Sequence, residues 1–209
     1  MKILPHPHSP ENKFELTPLV IVMVIAGVCT VDALAYSAYG SIDDCTPKVG
    51  HVTLNGELVW RGSWCETFDN LRGVNVLLID PFRCSVQETR SFDTHLSSSS
   101  ARRMRDYLRQ LDDGSVIVAV SADEATNHLG IVETVFQRHY GVRVHDVRYR
   151  GSFAFIAQKG YPDKTVLSKV LSESESHRTP AHVKARIRGI ILHIAVKLLP
   201  SYSALFRYF

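Results

Sequence analysis

Residues 74–79, Val-Asn-Val-Leu-Leu-Ile, form a near-continuous apolar run that closes on Asp80-Pro81. A strand without clean alternation has both faces covered, so this segment belongs inside the molecule with structure on either side. Residues 85–92 alternate more loosely and stop at Asp93-Thr94, which predicts a more exposed partner strand across a short hairpin loop. Further apolar runs at 115–120 and 152–157 supply two more core strands, the first of them beside 74–79. Asn55-Gly56, between 51–54 and 57–61, predicts another hairpin, because both turn residues tolerate positive φ.

Helical spacing fills the gaps between these strands. The serines at 97–100 can cap a helix over 101–111. Its Met104, Leu108 and Leu111 recur on one side, and Arg102, Arg103, Arg105 and Arg109 fall largely on a solvated one. A second helix is predicted over 127–140, with Leu129, Val132, Val135 and Phe136 inward and Gly141 as a left-handed stop. Asp163 caps a third, ending at 171. From residue 172 a Ser/Glu-rich linker leads into 181–199, where Ile187, Ile190, Ile191, Ile194 and Leu198 line one helical side. This amphipathic tail is too short to span a bilayer and could make weak contact with an acidic membrane surface.

The chain of 209 residues holds one domain of ordinary size with a leader and a tail. Lys and Arg number 24 against 21 Asp and Glu, an excess too small to indicate nucleic acid, and no nucleic-acid motif supplements it. The apolar stretch 16–31, followed by Ala33-Leu34-Ala35, reads as a signal peptide spanning 1–35 and cut after Ala35, so the protein is expected to be secreted. A retained type II membrane anchor is the alternative. Such a cut removes Cys29 and leaves Cys45, Cys65 and Cys84 in an oxidising compartment, one of them without an intramolecular partner. No Asn-x-Ser/Thr sequon occurs.

Catalytic signatures are missing. There is no Gly-x-Ser-x-Gly, His-Glu-x-x-His, phosphate loop or Cys-x-x-Cys. The histidines are scattered without metal-ligand spacing, so no metal, no cofactor and no enzymatic activity are expected.

The run Arg-Gly-Val-Asn-Val-Leu-Leu-Ile-Asp (72–80) followed by Ser-Phe-Asp-Thr (91–94) resembles the start of the ILEI/PANDER domain, the interleukin-like EMT inducer and pancreatic-derived factor family. Residues 108–114, 116–123, 125–129 and 153–160 follow in the family's order, and the resemblance extends over roughly 50–170. Such domains occur in small secreted cytokine-like proteins, in hyaluronan-handling cell-surface proteins, and in the stem of a protein O-mannose N-acetylglucosaminyltransferase. The resemblance implies a compact α/β domain over 50–171, a mixed, partly antiparallel sheet packed with helices in a β-β-α arrangement. A disulfide-tied segment, 36–49, precedes it and the tail 172–209 follows. It also implies a bond between Cys45 and Cys65, which leaves Cys84 free or joining two chains.

In the glycosyltransferase stem, a sugar is held by an arginine before the first core strand, an acid after the central strand and an arginine before the last. The matching positions here are Arg72, Asp123 and Arg150, with Tyr149 placed to stack on a sugar face. A carboxylate accepts from hydroxyls while guanidinium forks donate, which orients a sugar without reacting. Where the family commonly has Gly-Trp-Arg-Asp-x-Trp, residues 148–153 read Arg-Tyr-Arg-Gly-Ser-Phe. The expected function is a lectin-like, non-catalytic recognition module whose partner is a glycan or glycoprotein, with a cytokine-like ligand for a protein receptor as the alternative. The three site residues can meet on one edge only if the strand 115–120 runs opposite to its two neighbours.

Overall fold

The computed structural model describes residues 28–35, 50–62, 72–172 and 180–188. Nine strands are described: β1 (Val28–Ala35), β2 (Gly50–Leu54), β3 (Glu57–Gly62), β4 (Gly73–Asp80), β5 (Ser85–Phe92), β6 (Val116–Ala122), β7 (Ser152–Gln158), β8 (Val166–Val170) and β9 (Ala181–Arg188). The helices α1 (Ser98–Gln110) and α2 (Gly130–Tyr140) lie on either side of β6 in the chain. Four strands form one sheet in the order β3-β2-β1-β9, and five form another in the order β5-β4-β6-β7-β8. Every neighbouring pair is antiparallel.

These sheets correct the expected α/β class with a mixed sheet. The described fold is mainly β, two antiparallel sheets with two helices, and it contains no parallel pair among the described strands. The error has a physical source. Continuous apolar strands usually mark a parallel sheet buried by crossover helices, but here the five-stranded sheet is buried because the other sheet covers one face and the helices cover the opposite face. Along β4, Leu77 and Ile79 point between the sheets with Val118 of β6, Ile156 of β7, Val52 and Trp60. Val74 and Val76 point the other way, into a core with Met104, Leu108, Phe136, Tyr140 and Phe155.

Local chemistry sets the ends of the elements. Asn55 and Gly56 both have positive φ, as the turn between β2 and β3 requires. The Ser97 hydroxyl accepts from Ser100 N–H to start α1, and Gly141 at φ 68° ends α2. Pairing with β4 aligns Gly73 with Ala122 and Ile79 with Val116, so β6 does run opposite to β4; it runs opposite to β7 as well.

Two segments expected to be helical are strands. The stretch following Asp163 is a short 3₁₀ turn, Pro162–Lys164, and then β8. In place of the start of an amphipathic tail helix, Ala181–Arg188 is β9, with Ala181 and Val183 buried and His182, Lys184 and Arg186 exposed. That alternation has period two, and pairing with β1 decides between it and the helical pattern read further along the chain.

The amino-terminal expectation meets the same sheet. Val28–Ala35, the end of the stretch read as a leader, is β1, with Cys29, Val31, Ala33 and Ala35 fully buried between β2 and β9. Cys29 is bonded to Cys84, with a Cα separation of 5.1 Å. This corrects the reading of Cys84 as free or chain-linking, and it ties β1 of one sheet to the β4–β5 loop of the other. Cys45, Cys65 and the whole of 36–49 lie outside the described residues. No described helix is long and apolar enough to cross a membrane.

Candidate functional site

The antiparallel setting of β6 brings the start of β4, the end of β6 and the start of β7 to one edge of the five-stranded sheet. Continuing the β4–β6 register by one step places Arg72 opposite Asp123. From the other side, the Arg150 backbone N–H donates to a Glu124 carboxylate oxygen. The Asp123 carboxyl lies within electrostatic reach of Arg150 and Arg72, and of His95 to a lesser degree. Arg72, Asp123 and Arg150 therefore share one rim. Tyr149 stands at its outer side, 58% exposed, with the Arg150 guanidinium 5.5 Å from its ring centroid and the His95 ring 6.4 Å away.

The backbone there is unusual. Four described non-glycine residues have positive φ; Asn55 and Cys84 sit at the β2–β3 and β4–β5 hairpins, while Asp123 and Arg150, each at 54°, flank this rim. Left-handed backbone at such residues costs about 1 kcal/mol or more and persists only where surrounding contacts hold it. Glu124 supplies one such set of contacts. Only 2% exposed, it accepts from Thr126 N–H and Thr126 Oγ1–H as well as from Arg150 N–H, pinning the loop after β6 to the loop before β7.

The residues after β5 complete the frame. Arg72 pairs with Asp93 at 2.8 Å, and the other Asp93 oxygen accepts from the backbone N–H groups of His95 and Leu96. Buried Thr94 donates to Ala125 C=O, while Thr94 C=O accepts from His128 N–H. Asn127 Nδ2 donates to His95 C=O. Asp93, Thr94, His95 and Glu124 were not read as site residues from the sequence. A usable signal was present in Asp93-Thr94-His95 directly after a strand and in the second acid beside Asp123.

The ionisation of the two acids differs in sign. Asp93 is held below the usual carboxylate range: burial pushes it up, but the Arg72 hydrogen bond and the Leu96 and His95 N–H groups outweigh it. Asp123 is raised, because burial outweighs the attraction of Arg150 and Arg72 and the Glu124 carboxylate adds repulsion. Among the described residues, Arg72 Nε and His95 Nδ1 are buried without a hydrogen-bond partner. Arg72 Nε–H is thus a buried donor at this rim, of the kind that costs free energy when it goes unpaired.

Gly151 explains the departure from the family's run. A Cβ there would lie 2.6 Å from Val170 C=O and 2.7 Å from Val147 Cγ1, so this backbone leaves no room for an acidic side chain. Gly73, at φ 99°, is equally constrained, since a Cβ would meet Phe92 C=O at 2.1 Å. No group of three or more His, Cys, Asp or Glu able to hold a metal occurs among the described residues.

Comparison with known proteins falls on this same region. The chain is similar to the human cell surface hyaluronidase CEMIP2, 29% identical over 106 residues. It is also similar to the cell surface hyaluronidase of Danio rerio, 26% identical over 117 residues. The alignments take in 50% and 55% of this chain but only 8% of each relative's length. Residues 72–161, from the first rim arginine to the turn after β7, match the interleukin-like EMT inducer family, and this part of the chain is an interleukin-like EMT inducer domain.

Proposed function

We propose that the domain is a non-catalytic recognition module, working outside the cell or at its surface, that holds a carbohydrate at the rim of Arg72, Asp123 and Arg150. The observation that carries this reading is the meeting of these residues on one sheet edge with Asp123 and Arg150 both in left-handed backbone. Strain held at a polar rim is a mark of pre-organisation. Asp123 would accept from sugar hydroxyls, Arg72 Nε and the Arg150 guanidinium would donate to ring, hydroxyl or acetamide oxygens, and Tyr149 would cover an apolar sugar face. The Cys29–Cys84 bond and the cell-surface names of the two relatives support an extracellular setting. Hyaluronidase activity belongs to those relatives as whole proteins, of which the matched part is a small fraction.

A glycan array probed with the full chain tests the proposal. Binding of a defined sugar class by the wild type, lost in both Asp123→Asn and Arg72→Gln, is the expected result. Cell binding that survives glycosidase treatment and both substitutions would favour a cytokine-like ligand for a protein receptor instead.

A further inference from the structure

The outer side of α1 carries charge that the rim does not use. The helix holds four arginines against one aspartate and has no acidic residue in its first turn. Arg102, Arg103 and Arg109 are exposed and Arg105 partly so, while Ala101, Met104, Tyr107 and Leu108 face the core. Arg102, Arg105 and Arg109 follow i, i+3, i+7 spacing and form a stripe about 10 Å long on the side away from that core. Only Arg105 has a carboxylate partner among them, Asp106 at 2.8 Å; Arg102 reaches back to the Ser98 hydroxyl at 3.2 Å. Asp106 is the one acid on this helix, four residues after Arg102 and three before Arg109, and it is engaged by Arg105, so a single carboxylate serves four guanidinium groups and a net positive charge remains on the face.

We infer that this stripe is a docking surface for a sulfated glycosaminoglycan chain, separate from the sugar rim. Charge complementarity fixes the occupant as a linear polyanion with several anions within the stripe's length, and guanidinium forks match sulfate as they match phosphate. A polysaccharide with one carboxylate per disaccharide is too sparse. A membrane is disfavoured because α1 itself carries no exposed large apolar or aromatic side chain to enter the interface. The choice of an extracellular polyanion over nucleic acid rests on the extracellular part of the function proposed above. Binding releases condensed counterions, so affinity falls steeply with salt.

The test is retention of the full chain on immobilised heparin, with R102Q/R105Q/R109Q compared against R138Q/R143Q/K164Q, which removes equal charge from exposed sites elsewhere. Glutamine keeps helix propensity, and unchanged thermal unfolding certifies the fold. The stripe variant is expected to lose roughly tenfold or more in affinity at about 0.15 M salt and to flatten the salt dependence by up to about one unit of slope per arginine. The control variant, Asp123→Asn and competing hyaluronan should each change retention little. Equal loss in both charge variants would overturn the assignment, as would no wild-type retention at that salt. Stripe-dependent binding to phosphatidylserine vesicles without stripe-dependent heparin binding would also overturn it, in favour of a membrane surface. Loss of rim binding in Asp123→Asn with heparin retention intact keeps the two proposals distinct.

Discussion

The two sheets are built by different means. The central strands of the five-stranded sheet, β4, β6 and β7, come from 73–158 and are apolar on both faces, and their connections are short or pass through one helix. The four-stranded sheet alternates, covers one face, and closes by pairing strands from far apart in the chain, β1 at 28–35 with the edge strand β9 at 181–188. One sheet is dictated by its own composition. The other depends on long-range closure and on a disulfide that holds β1 to the β4–β5 loop.

The largest effect expected from breaking this contrast is removal of residues 1–35. That cut deletes β1, leaves β2 and β9 without the strand that each pairs with between them, and exposes the inner faces of Leu77, Val118 and Ile156. Domain stability is only about 5–15 kcal/mol, so such a chain should fail to fold cooperatively, whereas one beginning at or before Val28 should give a single sharp transition. Amino-terminal sequencing of protein collected from the medium should find 28–35 retained. A well-folded product beginning at residue 36 would show that the four-stranded sheet is dispensable.

The disulfide comes next. Replacing Cys29 and Cys84 together by serine reopens a 55-residue separation, which in the chain-entropy account is worth about 4 kcal/mol. Both the variant and the reduced wild type should show a lower unfolding midpoint in urea, with the four-stranded sheet losing amide protection before β4, β6 and β7 do. Simultaneous loss of protection in both sheets would mean that they fold as one unit and that the contrast is only topological.

This contrast also explains what could be read in advance. Val74, Leu77 and Ile79 have no surface to choose, so the strand was legible; so was the Asn55-Gly56 turn, which needs positive φ at both positions. The antiparallel direction of β6 was recoverable only as a condition on the site, because Val116 to Val120 are buried whichever way they run. Ala181 to Ile187 fit period two, but the isoleucines beyond fit a helical face, and what settles the segment is β1, over 140 residues away in sequence. Cys29 was assigned to a leader for the same reason. Its apolar neighbours look alike in a signal segment and in a buried strand. At the rim, Arg72, Asp123 and Arg150 came from motif positions, while Asp93 and Glu124 were missed because their partners, Arg72 and the backbone N–H of Arg150, are joined only by the fold.

A smaller loss, confined to the five-stranded sheet's site edge, is expected from Thr94→Val. The side chain is fully buried and its hydroxyl donates to Ala125 C=O at 2.7 Å, so valine keeps the volume and leaves that carbonyl unsatisfied. A cost of about 1–2 kcal/mol is expected in chemical denaturation. The loops after β5 and β6 should exchange their amides faster while β1, β2 and β9 are unaffected. A change in the four-stranded sheet of equal size would argue against treating the two sheets separately.

The smallest effect on stability belongs to Asp123→Asn, and its sign is the informative part. Burial raises the folded-state pKa of Asp123 above its unfolded value, so between the two values the folded state binds more protons and stability falls as pH rises through that window. Asparagine stands in for the protonated form, so the variant should be slightly more stable than wild type at neutral pH and equal to it below the unfolded pKa. Asp32, under β9's His182 and Lys184, and Asp93, under Arg72, behave oppositely: both are depressed, and their contributions are lost as pH falls below the usual carboxylate value and through the folded one. Asp32→Asn should therefore be slightly destabilising at neutral pH, by about 0–1 kcal/mol for a partly exposed pair. Asp32 in the four-stranded sheet and Asp93 at the rim would then carry charge that serves the fold, and Asp123, on that same rim, charge that opposes it. If Asp123→Asn gains stability while losing glycan binding, the carboxylate is retained at a cost to folding, as expected of a binding group. If it instead loses stability at neutral pH, Asp123 is an anchor for Arg150 and Arg72, and the rim is a structural ion-pair network.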